Sequence, residues 1–267
     1  MKIVIAVVFI LLNITNYSAR GQDNPQSFLH RLSITPRAGF SFSKLLNAQT
    51  PSRCDECTFE QKSLKDVNYD IVLEVNVAIR WSVISGYSTV TKGTEAEYEL
   101  LVVNETYFEN KKTIVTVKNS YNVLPLWVRY RYTVDKFDFF ADAGFYYAFL
   151  KNSQLNFRYT DFSGYWGSFD RTANAGYDSE TNMYSTNASD YGWMVGLGLE
   201  FVITPALGIQ FNPQVSVGLQ KLDRVNSNRV IRSPNDLRDL WVEDYFGVSS
   251  NSRNVVFSLN FGLRYKF

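Results

Sequence analysis

Strict alternation of apolar and polar residues constrains this chain more than any other feature. In 206–220, large apolar residues such as Leu207 and Ile209 alternate with Gly, Gln, Asn and Ser. Segments 191–202 and 254–267 repeat the pattern. A two-residue period is typical of a β-strand with one apolar and one polar face. These three segments are therefore predicted to be amphipathic strands.

Five further segments show the same alternation less clearly, which brings the predicted number of strands to about eight. They lie near 34–43, 71–81, 83–91, 124–132 and 139–149. Short links are predicted at 80–83, 133–136 and 203–206, and long polar links near 43–68, 92–120, 151–190 and 223–253. Short turns at one end, long loops at the other and an even number of strands are typical of outer-membrane barrels.

The size of the side chains on the two faces separates a membrane barrel from a soluble β-sandwich or lipocalin-like barrel. The polar faces are rich in Gly, Ser, Asn and Gln, whereas the apolar faces carry uniformly large residues. Small residues suit the narrow interior of an eight-stranded barrel, and large residues suit lipid. We therefore predict an all-β fold, an eight-stranded antiparallel transmembrane up-and-down β-barrel with long extracellular loops.

The N-terminus has the pattern of a secretory signal peptide. Lys2 precedes an apolar run at 3–12, and the small residues Ala19 and Gly21 fit a cleavage site. A retained helical anchor would need about 20 apolar residues. The predicted organisation is a signal peptide at 1–21, a short periplasmic segment at 22–30 and an outer-membrane barrel at 31–267. Both ends of the mature chain are expected in the periplasm.

Charge and histidine content exclude several functional classes. The chain has 27 Lys and Arg against 26 Asp and Glu, which excludes a strongly basic nucleic-acid binder. Its one histidine, His30, precedes the first predicted strand, so base catalysis by histidine has a single candidate. No spacing of Asp and Glu picks out a catalytic pair. The sequence predicts no catalytic residue, no metal site and no cofactor, and hence a protein that is not an enzyme.

Nine charged residues fall on predicted inward faces. They are Arg37, Glu74, Arg80, Arg129, Arg131, Asp138, Asp142, Glu200 and Arg264. In a narrow interior such charges must pair or be hydrated, because burial of an unpaired charge costs several kcal/mol. One interpretation is a salt-bridged network that fills the lumen and fixes the strand register. The alternative is a narrow ion-conducting or proton-linked pore. Because side chains fill the interior of an eight-stranded barrel, the filled lumen is favoured.

Cys54 and Cys57 lie in the first long loop. In an oxidising compartment this short spacing favours a local disulfide that tightens the loop. A thioredoxin-like redox motif would need a βα context, which the surrounding sequence lacks, and a zinc site would need two further ligands.

The link at 151–190 is unusually rich in aromatic residues. The candidates for recognition there are Tyr159, Tyr165, Trp166, Phe169 and Tyr177. Rigid rings among Asn, Asp, Ser and Gly suit recognition of sugars or proteins. The alternative is that the strands extend beyond the bilayer and these rings pack on neighbouring loops.

Segment 121–132, with Pro125 and Arg129, resembles the fourth strand of PorT-like outer-membrane barrels of Bacteroidota. In that family the fourth strand begins with a Pro and an inward-facing basic residue. Residues 85–93 are similar to the preceding strand of that family, and residues 36–43 to its Gly- and Ser-rich first strand. Two departures stand out. Residues 122–124 lack the usual Glu before the Pro, and an insertion near 94–120 is predicted to extend strands three and four as a hairpin outside the membrane.

The resemblance implies an integral outer-membrane protein, and one branch of that family is associated with type IX secretion and gliding. Phe267, together with Phe261 and Tyr265, resembles the C-terminal signal that barrel-insertion machinery recognises. Expected partners are the lipid bilayer, that machinery and secretion-system or surface proteins. The expected function is structural or interactive, as an accessory of a secretion or surface assembly. The alternatives are a narrow pore and a surface adhesin or glycan binder that uses 151–190.

Overall fold

The computed structural model describes most of the predicted barrel. The described ranges are 31–46, 57–104, 107–160, 166–174, 188–220, 230–231, 240–241 and 253–267. The proposed signal peptide lies outside them, as do His30, Cys54, Tyr165 and Tyr177. Among the described residues, no helix is long and apolar enough to cross a membrane.

The described residues form twelve strands. They are β1 (Leu32–Leu46), β2 (Cys57–Lys62), β3 (Leu64–Asn76), β4 (Trp81–Asn104), β5 (Tyr107–Val134), β6 (Phe137–Thr160), β7 (Trp166–Asn174), β8 (Ser189–Thr204), β9 (Leu207–Gly218), β10 (Val230–Ile231), β11 (Leu240–Trp241) and β12 (Arg253–Lys266).

Eight of these strands close into an antiparallel barrel. Around the cylinder the order is β1, β3, β4, β5, β6, β8, β9 and β12, and β12 pairs with β1 to complete it. The closed order confirms the predicted eight-stranded antiparallel architecture. β10 and β11 form a separate two-stranded pair within the last long link.

The first short turn differs from its predicted position. The backbone N–H groups of Val77 and Ala78 both donate to the carbonyl oxygen of Trp81, which closes a turn at 77–80 instead of 80–83. Trp81 therefore opens β4. Arg80 lies in this exposed turn, where its Nη1 donates to the Tyr130 hydroxyl at 3.1 Å. The prediction that Arg80 faces inward is wrong, because the alternation of apolar residues continues in the sequence through this turn.

The alternation sorts the side chains into two faces, as the sequence predicts. On β8, Leu197 is 67% exposed on the outer face, whereas Glu200 is 3% exposed inside. Trp193 and Phe145, paired on neighbouring strands, place their rings 3.9 Å apart on the outside. A continuous apolar and aromatic band therefore surrounds a polar interior.

The strand register fixes the tilt of the strands. Paired residues connect one end of β1 to the other around the barrel, in the order Ile34, Leu73, Ser85, Leu126, Phe145, Trp193, Val217, Val255 and Lys44. One circuit thus advances from position 34 to position 44, and this shear on eight strands tilts them by about 40°. Ten tilted residues rise about 25 Å along the barrel axis. That rise equals the usual height of the apolar band in outer-membrane barrels.

A sheet continues beyond the cylinder at the end opposite the short turns. β4 and β5 remain paired from Thr94 and Val117 to Asn104 and Tyr107. β2 adds to β4 and β7 adds to β6, which gives the order β2-β4-β5-β6-β7. The predicted hairpin extension near 94–120 is therefore confirmed. We call this five-stranded segment the sheet extension.

An ion pair joins two strands of the sheet extension. Lys62 Nζ lies 2.5 Å from Glu97 Oε2. This hydrogen bond raises the pKa of Lys62.

Gly198 allows a bulky ring to enter the narrow interior. It pairs with Phe140 across β6 and β8, and a Cβ atom at this glycine would overlap the Phe140 ring. Phe140 is 4% exposed, and the Arg129 guanidinium carbon lies 3.7 Å from its ring centroid. The interior therefore packs in this way only because position 198 has no side chain.

Replacing Gly198 with Val should destabilise the barrel by about 1–3 kcal/mol, because the added side chain must displace Phe140 in a packed interior. The free energy of unfolding in detergent micelles, from urea titration followed by tryptophan fluorescence, measures the effect. Ala141→Val is the matched control, since Ala141 faces outward and is exposed. Equal stability of the two variants would contradict the packing role.

Candidate functional site: the charged interior

The interior of the cylinder contains a dense set of paired charges. The described cations are Arg37, Lys92, Arg129, Arg131 and Arg264, and the described carboxylates are Asp70, Glu74, Asp138, Asp142, Asp190 and Glu200. Each of their side chains is at most 10% exposed. Such burial requires that each charge has a partner.

The first cluster lies in the half of the barrel near the short turns. Arg129 donates from Nε and Nη2 to the two carboxylate oxygens of Asp142, at 2.7 and 2.8 Å. Its remaining nitrogen, Nη1, donates to Glu74 at 3.1 Å. Glu74 also accepts from Arg131 Nη2 at 2.7 Å. Glu74 therefore lies between two guanidinium groups of β5.

Arg131 extends this cluster across the lumen. Its Nη1 donates to Asp138 at 2.8 Å and to Glu200 at 2.9 Å. Glu200 also accepts both from Arg264 Nη1 at 2.7 Å and from Gln210 Nε2 at 2.8 Å. Since Arg131 is on β5 and Glu200 on β8, this ion pair joins strands that are not neighbours in the barrel.

A second cluster lies near the middle of the barrel. Arg37 donates from Nε and Nη2 to Asp70, at 2.7 and 2.9 Å, and from Nη1 to the Asn212 side chain at 3.1 Å. Its guanidinium carbon also lies 5.5 Å from the Trp127 ring centroid. Planar guanidinium groups suit such two-pronged contacts with carboxylates.

A third cluster lies at the end near the long links. Lys92 Nζ donates to Asp190 at 2.6 Å, and the Tyr146 hydroxyl donates to the same carboxylate oxygen at 3.0 Å. The ammonium lies 4.0 Å from the Tyr146 ring centroid and 5.2 Å from that of Tyr121. Lys92 is on β4 and Asp190 on β8, so this pair also crosses the lumen.

A small cavity separates the second and third clusters. Its volume of about 30 Å³ is room for one or two water molecules. Arg37, Lys92, Trp127 and Tyr146 are among the lining residues. The buried Trp127 Nε1–H has no hydrogen-bond partner among the described residues, which suits a bound water.

The structure places eight of the nine predicted inward charges in the interior, and Arg80 outside it. Sequence reasoning missed Asp70, Lys92 and Asp190. Each lies one residue beyond the end of an alternating segment, on the inward side of its strand. Extending the two-residue period past those ends would have found all three. Among the described residues, no group of His, Cys, Asp and Glu is placed to hold a metal ion.

The other predicted sites are described less fully. Cys57 begins β2, and its proposed partner Cys54 lies outside the described residues. Tyr159 lies in β6, and Trp166 and Phe169 lie in β7, where only their backbone is described.

The C-terminal aromatic residues lie on the outer face. Phe261 is 53%, Tyr265 47% and Phe267 48% exposed. The rings of Tyr265 and Phe267 meet edge to face at 5.2 Å.

Several solved structures of outer-membrane proteins are similar to this chain. The chain is similar to the solved structures of OprG from Pseudomonas aeruginosa (12% identity, TM-score 0.39, covering 88% of this chain and 95% of that one). It is also similar to Ail of Yersinia pestis (12%, 0.35, 87% and 98%). A third similar structure is the outer membrane protease OmpT from Escherichia coli (9%, 0.38, 92% and 99%).

No curated protein matches the chain. A family model described as "Outer membrane protein beta-barrel domain" matches residues 20–224, which is more than half of the chain. With that match, the chain belongs to the outer-membrane β-barrel domain family, and its apolar band faces the lipid bilayer of an outer membrane.

Proposed function

We propose that this protein is a non-conducting outer-membrane barrel that serves as a structural or interaction protein. The observation that carries the proposal is the paired interior, where guanidinium and ammonium groups meet carboxylate or amide groups of non-neighbouring strands at three levels. An ion-conducting pore needs a hydrated path through the barrel, whereas here side chains occupy the interior. We call this arrangement the charged plug.

The charged plug also links strands that are not neighbours in the barrel. The Arg131–Glu200 and Lys92–Asp190 pairs each link strands that share no backbone hydrogen bonds. Removal of one partner would leave an uncompensated buried charge, which typically costs about 3–5 kcal/mol. The same pairs therefore favour one strand register and one barrel shape.

Orientation follows the usual arrangement of such barrels. The start of β1 and the end of β12 lie at the same end of the cylinder as the short turns. In outer-membrane barrels the short turns are periplasmic. We therefore infer periplasmic termini, with Phe267 as part of the signal for barrel-insertion machinery and the sheet extension on the cell surface.

The sheet extension is the inferred interaction platform. It projects β4, β5 and β6 beyond the lipid-facing band and includes β7, which lies within the aromatic segment 151–190. The partners that fit best are secretion-system or surface proteins, in keeping with the resemblance to PorT-like barrels. A glycan-binding adhesin that uses the same segment is the second candidate. No enzymatic role is proposed.

The charged plug predicts that purified protein in a planar lipid bilayer conducts no steady current. Narrow, tightly paired lumens leave no hydrated path for ions. Current recordings at symmetrical salt measure this directly, with a porin of the same preparation type as the positive control for insertion. Reproducible ohmic steps from the unmodified protein would instead support the narrow pore.

Substitution of Tyr165 and Trp166 with Ala should leave the barrel folded and remove surface binding. Trp166 begins β7, which pairs with β6 outside the eight-stranded cylinder, and Tyr165 precedes it in the sequence. Heat-modifiable migration on a gel measures folding, and crosslinking on intact cells measures partner recovery. Tyr132→Ala, on the outer face near the short turns, is the control and should keep the crosslinks. Loss of folding in the Tyr165–Trp166 variant would assign these rings a structural role.

A further inference from the structure

Three basic residues stand side by side on the outer face of the barrel. Arg253 on β12, Lys44 on β1 and Lys65 on β3 occupy three adjacent strands and are exposed. Each lies in the outward-facing phase of its strand, since Lys44 pairs with Val255, Lys65 with Phe42 and Arg253 with Leu46. We call them the basic triad.

The tilt of the strands brings the basic triad to one height. The β1 partner of Lys65 is Phe42, two residues from Lys44 toward the short turns. The β1 partner of Arg253 is Leu46, two residues from Lys44 toward the long links. The shear of the barrel raises a residue of β3, and lowers one of β12, relative to its partner on β1. The three Cα atoms therefore lie within about 4 Å of the same height and extend over about 16 Å around the barrel.

Among the described residues, no neighbouring group balances the charge of the basic triad. In the part of the chain that the structure describes, none of the three residues forms an ion pair. The outward positions of β12, β1 and β3 in their described ranges carry no Asp or Glu. Asp66, next in sequence to Lys65, pairs with Lys118 at 2.9 Å.

Directly below the basic triad the surface is apolar. Phe42 and Phe257 are paired on β1 and β12, with ring centroids 6.3 Å apart. Phe40 is 57% and Val67 43% exposed on the same face. The surface therefore offers cations at the border of the lipid-facing band and flat apolar contacts beneath them. A molecule with an anionic headgroup and acyl chains matches both parts.

We propose that the basic triad binds the phosphate groups of a phosphorylated glycolipid in the outer leaflet of the outer membrane. Three cations spread over about 16 Å suit a headgroup with more than one phosphate better than a single phosphodiester. Lys and Arg near a membrane surface each contribute favourably to binding of anionic lipid. The acyl chains would lie against Phe40, Phe42 and Phe257. The outer-leaflet source rests on the orientation proposed above, whereas the phosphate contact does not.

Lipid binding to the full chain in detergent micelles, measured by native mass spectrometry, tests this inference. The probes are bis-phosphorylated lipid A, the same lipid after removal of its phosphates, and phosphatidylglycerol. The unmodified protein should bind bis-phosphorylated lipid A at least about tenfold more tightly than either other lipid. The variant Lys44→Gln, Lys65→Gln, Arg253→Gln should lose about tenfold or more of that affinity.

A charge-matched control separates the basic triad from net charge. The variant Arg80→Gln, Lys136→Gln, Lys151→Gln removes three exposed outer cations at other places and should bind lipid A within about twofold of the unmodified protein. Equal losses in the two variants would overturn the inference, as would equal binding of the dephosphorylated lipid by the unmodified protein. Preference for phosphatidylglycerol would overturn the outer-leaflet glycolipid as the occupant without bearing on the charged plug.

Discussion

The pairing of charges inside a narrow cylinder is the constraint on which the rest of this structure depends. An eight-stranded barrel leaves room for side chains and little else. Guanidinium groups from β1, β5 and β12 can be accommodated there only because carboxylates of β3, β6 and β8 reach them within hydrogen-bonding distance. The strand register that aligns these partners also sets the tilt of the strands.

The two faces of the barrel meet opposite physical demands. Inside, Gly198 gives space for Phe140, and the flat Phe140 ring supports Arg129. Outside, large apolar side chains face lipid and are bounded on one side by Lys44, Lys65 and Arg253. Buried ion pairs contribute little net stability compared with apolar packing, but breaking one is costly. We infer that the charged plug specifies one barrel shape and closes the lumen, while closure of the sheet supplies the backbone hydrogen bonds.

Much of this could be predicted from the alternation of residues, because period two is a local property of a strand. It gave the eight strands, their faces and inward charges such as Arg129 and Glu200. Arg80 was misplaced because apolar residues continue through the turn that contains it. Lys92 and Asp190 were missed because alternation weakens where strands leave the lipid-facing band. The pairing of the charges, including the contact of Arg131 with Glu200 across the lumen, depends on the shear of the barrel. Shear is a property of the whole closed sheet and cannot be derived from the sequence of a single segment.

The coupling free energy between Arg131 and Glu200 tests the charged plug most directly. A double-mutant cycle with Arg131→Met and Glu200→Gln, measured by urea unfolding in micelles, isolates this pair. We expect a coupling of about 1.5 kcal/mol or more that persists from about 0.1 M to about 1 M salt, because a buried pair is weakly screened. A coupling near zero, or one that salt abolishes, would show that the lumen is open to water and would contradict the charged plug.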